Sequence, residues 1–186
     1  ESDELEWDAD TESSAEFEDP VRMYLREIGR VHLLTSKEER VLARKLDGAK
    51  HLEQLEKKLT EQEGRAPRPW EITASLLRRL VAAAPMIAAL SEQLGLSRNL
   101  TLSQLTDHPK LRAAIDAELD LELMGQLAGI LGEDLAKVRS QVIGFSLDSW
   151  LLPTDAIDML EDCVLSQLDD TLNQPECYVQ LQAMDD

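Results

Sequence analysis

From residue 20 onward, apolar side chains return every three to four positions, the spacing of one face of an α-helix. Asp19 and Pro20 suit a helix start, because an Asp side chain can accept from free backbone amides and Pro fits the first helical position. Val21, Tyr24, Leu25 and Ile28 then fall on one side and Gly29 supplies a stop, which predicts a short amphipathic helix over 20–28. After RVHLL, Thr35 and Glu38 form a capping box that launches a second, longer helix. Its apolar register, Val41, Leu42, Leu46, Leu52, Leu55 and Leu59, runs to about residue 61, with Gly48 inside it as a place where the helix could break.

The stretch EGRAPRP, 63–69, reads as a linker, a stiff hinge in preference to a Pro-rich ligand motif. A new helix starts near Trp70 and is broken or kinked at Pro85. SRNLTLSQLTDH is a connection holding a short helical piece, and a further helix runs from 109 to about 123. In the turn-rich helical segment that follows, Gly125 and Gly129 make a GxxxG pair, a spacing that allows close helix packing. EDLAKVRSQVIG is helical and ends at Gly144, FSLDSWLLP is a link, and 154 to about 172 is one acidic amphipathic helix with Ile157, Leu160, Val164, Leu165 and Leu168. No repeat of constant period is present. The fold class that follows is all-α, a helical bundle-like domain with a two-helix N-terminal segment.

Composition agrees with that reading. Aromatic residues make up only 4% of the 186, so a core must come from Leu, Ala, Val and Ile. The formal net charge is -18, and it is unevenly spread. Residues 1–19 hold ten acids and 148–186 hold ten more, neither with Lys or Arg, so the remaining 17 acids meet all 19 basic residues in between. The first 18 residues, acidic, Ser-rich and unpatterned, are expected to be a disordered tail. A calcium loop on Asp8, Asp10 and Glu12 fails for want of the turn Gly and the closing Glu. The chain opens without Met, which suggests an excised or processed start, and its acidic opening is unlike a secretory signal. No run of apolar residues is long enough for a membrane span.

The residues that carry catalysis are missing from the pattern. His32, His51 and His108 are scattered and far from Cys163 and Cys177, so no zinc spacing exists; two free thiols are expected, a disulfide between them being the alternative. There is no GxxxxGK turn for a nucleotide and no strand-turn-helix nucleophile elbow. The abundant carboxylates fall in the acidic ends or on polar faces, where their ordinary role is solubility. The expectation is a protein that is not an enzyme and takes no metal and no cofactor.

Residues 20–50 stand apart, with eight basic residues against four acids. Arg22 and Arg26 share a side of the first helix, and Lys37, Arg40 and Arg44 one side of the second, which predicts two outward basic stripes. Basic residues on an amphipathic helix are commonly just its solvated face. Tyr24, lying between the two arginines in sequence, tips the balance, because unstacked bases need both a flat apolar surface and neutralised phosphates.

The segment DPVRMYLREIGRVHLLTSKEERVLARKLDG, 19–48, resembles region 1.2 of the bacterial primary (housekeeping) sigma factors of RNA polymerase. The resemblance covers about thirty residues, and 49–186 would then be the variable helical insert that follows region 1.2 in that family. Nothing in the chain resembles the family's helices that read the minus-ten and minus-thirty-five elements or bind the polymerase clamp. By resemblance, region 1.2 contacts the non-template strand of the promoter discriminator. Arg22, Tyr24, Leu25 and Arg26 would face DNA, with Lys37, Arg40 and Arg44 nearby for phosphates. Leu25 stands where many members have Met, and Val21 and Ile28 would pack against the second helix. The partners implied are the RNA polymerase core, promoter DNA and a regulator on the insert, in the bacterial cytoplasm at the nucleoid and with no membrane. The other reading is a non-catalytic helical scaffold whose basic face binds an acidic protein.

Overall fold

The computed structural model describes residues 20–30, 33–97 and 99–185; the acidic stretch 1–18, the Asp19 cap and His32 lie outside them. The described residues are all-α: eleven helices and, outside them, one isolated antiparallel bridge between Thr101 and Val164. The chain divides into two compact units, 1–43 and 44–186.

The smaller unit holds α1 (Pro20–Ile28) and the first turns of α2 (Ser36–Glu63). Gly29 ends α1, its amide donating to Leu25 O at 3.0 Å. The capping box at the start of α2 is formed as its residues require: Thr35 N donates to Glu38 Oε2 at 2.7 Å, and Glu38 N to Thr35 Oγ1 at 3.3 Å. Val21 and Ile28 are 59% and 46% exposed, so they lie open, unlike the packed residues expected.

The larger unit is built on α8 (Leu135–Leu151), which meets α3 (Pro69–Ala82), α4 (Ala84–Gln93), α5 (Leu102–Asp107), α6 (Pro109–Asp116) and α7 (Leu121–Leu131). A helix enclosed by so many neighbours is buried on several sides, and Val138, Val142, Phe145, Ser146, Asp148 and Ser149 all lie inside. Gly144 therefore does not end it, and FSLDSWL of the expected link FSLDSWLLP is its second half. The core continues through Leu76, Leu77 and Leu80 of α3 and Ile87 and Leu90 of α4. Pro85 bends this pair by 57°, because its ring excludes the carbonyl one turn back and it has no amide to donate. No single described helix is long and apolar enough to cross a membrane, and the apolar residues of the bent pair are those of the core.

Other boundaries move for local reasons. The helix from Pro109 stops at Asp116, not near 123, and α7 starts afresh because the Asp120 side chain accepts from Glu122 N and Leu123 N. This restart turns Met124 and Leu127 into the core and leaves Gly125 and Gly129 outside, with nothing within 4 Å of a Cβ on either. The GxxxG pair thus makes no close packing contact here. The acidic stretch after 154 is two helices, α9 (Thr154–Met159) and α10 (Leu165–Leu172). Between them the Leu102 amide donates to Cys163 O at 2.9 Å. A last helix, α11 (Pro175–Ala183), had no counterpart in the expected elements; it buries Cys177 and Leu181. Cys163 and Cys177 are free thiols, and burial pushes the Cys177 thiol above its ordinary value.

Candidate nucleic-acid interface

On α1 the basic and apolar side chains separate by simple helix geometry. At about 100° per residue, Arg22 and Arg26 stand together beside Leu25, whereas Tyr24 lies about 160° round the helix from either arginine, on the far flank of the apolar band. Proximity in sequence therefore does not make Tyr24 a partner of the arginines. Leu25 and Met23 are the apolar residues that flank them on either side, and Arg22, Tyr24, Leu25 and Arg26 are all exposed, Tyr24 at 62% and Leu25 at 56%.

Lys37 and Arg40, on the first turns of α2, are exposed as well. The hydrogen bonds from the Thr35 backbone amide and hydroxyl hold the Glu38 carboxyl below its usual range, so Glu38 stays ionised at the helix N-terminus, where the helix dipole favours it. Apolar surface is unusually bare around these cations: Leu33 is 94% exposed, Leu34 52%, Val41 48% and Leu42 49%.

Arg44 is placed differently. Its Nη1 lies 3.0 Å from Asp116 Oδ1, its Nη2 donates to Ser146 Oγ at 3.4 Å, and its guanidinium carbon sits 5.2 Å from the centre of the Trp150 ring. The side chain is only 24% exposed, so Arg44 leaves the outward stripe and joins the packing of the larger unit. Arg44, Gly48, His51 and Leu55 share one face of α2, and it is this face that meets α8. Asp116 and Trp150, which fix Arg44, carry no local signal of that role: one closes a short helix and the other lies in a segment read as a link.

The family model for sigma-70 factor, region 1.2, matches residues 19–46. RNA polymerase sigma factor SigA of Nostoc sp. (strain PCC 7120 / SAG 25.82 / UTEX 2576) is 46% identical over 54 residues, covering 29% of this chain and 14% of that protein. No solved structure matches. Residues 19–46 are thus similar to region 1.2 of the sigma-70 factors.

Proposed function

We propose that this chain is the region 1.2 and insert part of an RNA polymerase sigma factor that directs promoter-specific transcription initiation without catalysis of its own. The observation that carries the reading is the match over residues 19–46 on a segment whose cationic and apolar side chains stand open to solvent. Arg22, Leu25 and Arg26 present one surface to the non-template strand of the discriminator, Leu25 against a base and the arginines against phosphates. Tyr24 serves a base approaching the other flank of α1, and Lys37 and Arg40 neutralise phosphates further along. Arg44 acts from within the packing, by holding α2. The acidic ends repel DNA elsewhere on the chain and so favour this one segment. The insert, 49–186, packs on the polymerase core and offers its acidic C-terminal part to a regulator, and the protein works in the bacterial cytoplasm at the nucleoid.

A second reading rests on the bare apolar side chains Leu33, Leu34, Val41 and Leu42, which favour a protein surface as the cover of this segment. The two readings part in one experiment, fluorescence anisotropy of the chain with a labelled single-stranded discriminator oligonucleotide and a base-scrambled control over a salt series. Preferential binding that weakens with salt is the result expected for DNA recognition. Absence of any oligonucleotide affinity at moderate salt would favour the protein scaffold.

A further inference from the structure

We infer that Trp150 is a positioning residue for α2, acting through the bare backbone of Gly48, and that this contact decides how well Lys37 and Arg40 are held for DNA. The inference rests on the function proposed above. Gly48 is buried in the middle of a 28-residue helix and has no positive φ, so its backbone does not need a glycine. A glycine at such a place weakens a helix relative to alanine. Space is the reason it is tolerated: a Cβ on Gly48 would stand 2.5 Å from Trp150 Cζ3, 3.3 Å from Trp150 Cε3 and 3.4 Å from Leu151 Cδ2. The Trp150 ring thus lies across the helix backbone, and the Arg44 guanidinium, fixed by Asp116, is stacked over the same ring.

Below this contact the helix is anchored further by His51 Nε2, 2.7 Å from Asp148 Oδ1, and by the buried Leu55. Before it, Val41, Leu42 and Leu46 are about half exposed, and a helical stretch with so little burial is marginal in water. The order of the turns that carry Lys37 and Arg40 therefore depends on the anchor at Arg44, Gly48 and His51. Displacing Trp150, a residue 40% exposed, by substitution or by a partner that draws on it, loosens those turns without touching them.

Gly48→Ala tests this in the full chain, because two effects give opposite signs. Helix propensity alone predicts slower amide hydrogen exchange across 37–47. Loss of the Trp150 contact predicts faster exchange there, about tenfold, with the amides of Leu77 and Leu80 unchanged as a control on the bundle. In a Trp150→Ala background, already loosened, Gly48→Ala becomes neutral or protective, and Trp150→Leu serves where Trp150→Ala disturbs the control amides. Increased protection from Gly48→Ala with Trp150 in place overturns the inference, as does a cost that persists when the ring is gone. Oligonucleotide anisotropy on the same samples separates the two layers. Faster exchange with a weakened oligonucleotide affinity supports the positioning role, and faster exchange with an unchanged affinity overturns it. A wild-type chain that binds no oligonucleotide defeats the DNA reading, while exchange still decides whether Trp150 holds α2.

Discussion

His51 and Asp148, 97 residues apart in the chain, meet at 2.7 Å, and the same carboxylate accepts from Arg79 Nε at 2.8 Å and 2.9 Å on its two oxygens. Asp148 is 3% exposed, so the pair joins α2, α3 and α8 around one buried charge. Asp148→Ala strands the Arg79 guanidinium and the His51 ring together. With Arg79 itself 39% exposed, part of that cost is returned by water, and a loss of about 2 kcal/mol is expected in urea unfolding. Asp148→Asn, which keeps an acceptor but no charge, falls between the two.

Glu71 governs an acid-dependent part of stability at the start of α3. Hydrogen bonds from the Arg65 side chain and the Arg68 backbone amide, the latter at 2.7 Å, hold its carboxyl down to about 2. A carboxyl held low in the folded chain binds fewer protons than in the unfolded one, so its contribution is complete above the ordinary carboxylate value near 4.5 and disappears as pH falls through about 2. Glu71→Gln removes this slope. The difference in urea midpoint between the parent and the variant should be largest near neutral pH and vanish towards pH ~2.

Gly125 and Gly129 lie in α7 with open space above them. Alanine there costs no packing and limits the unfolded chain, so Gly125→Ala and Gly129→Ala should each stabilise by about 0.5–1 kcal/mol. A lower melting temperature in either variant would mean that the face is packed against something after all.

Arg44 and the pair Arg22 and Arg26 should separate cleanly. Arg44→Ala removes the ion pair with Asp116 and the stack on Trp150, and is expected to lower the unfolding midpoint, with oligonucleotide binding falling only as far as the turns that carry Lys37 and Arg40 loosen. Arg22→Ala with Arg26→Ala should do the reverse: unchanged stability, and a slope reduced by about 1–2. A flattened Arg44→Ala slope with an unchanged unfolding midpoint would sink the assignment of Arg44 to packing.

Much of the chain was legible where the cause of a feature is local. Thr35 and Glu38 cap α2, and Pro85 bends the pair α3 and α4, each through atoms within a few residues. Glycines misled for the converse reason. Gly48 and Gly144 looked like breaks, yet both lie inside helices, because neighbours that pack against a helix supply more than the glycine's propensity withdraws. The single helix expected after 154 failed similarly: its periodicity survives the break at Leu160, and only the pairing of Leu102 with Cys163 O reveals why the backbone leaves the helix there.

By itself the sequence determined that the chain is helical, where most helices begin, and that 19–46 is similar to region 1.2 of the sigma-70 factors, because periodicity, capping and motif are properties of neighbouring residues. Only the tertiary structure decided which basic residues stay outside. Lys37, Arg40 and Arg44 are equivalent by spacing, and what distinguishes Arg44 is the arrival of Asp116 and Trp150 from distant parts of the chain. Charge, aromatic ring and bare glycine meet at that point because α8 crosses α2 there, a consequence of how the whole core packs.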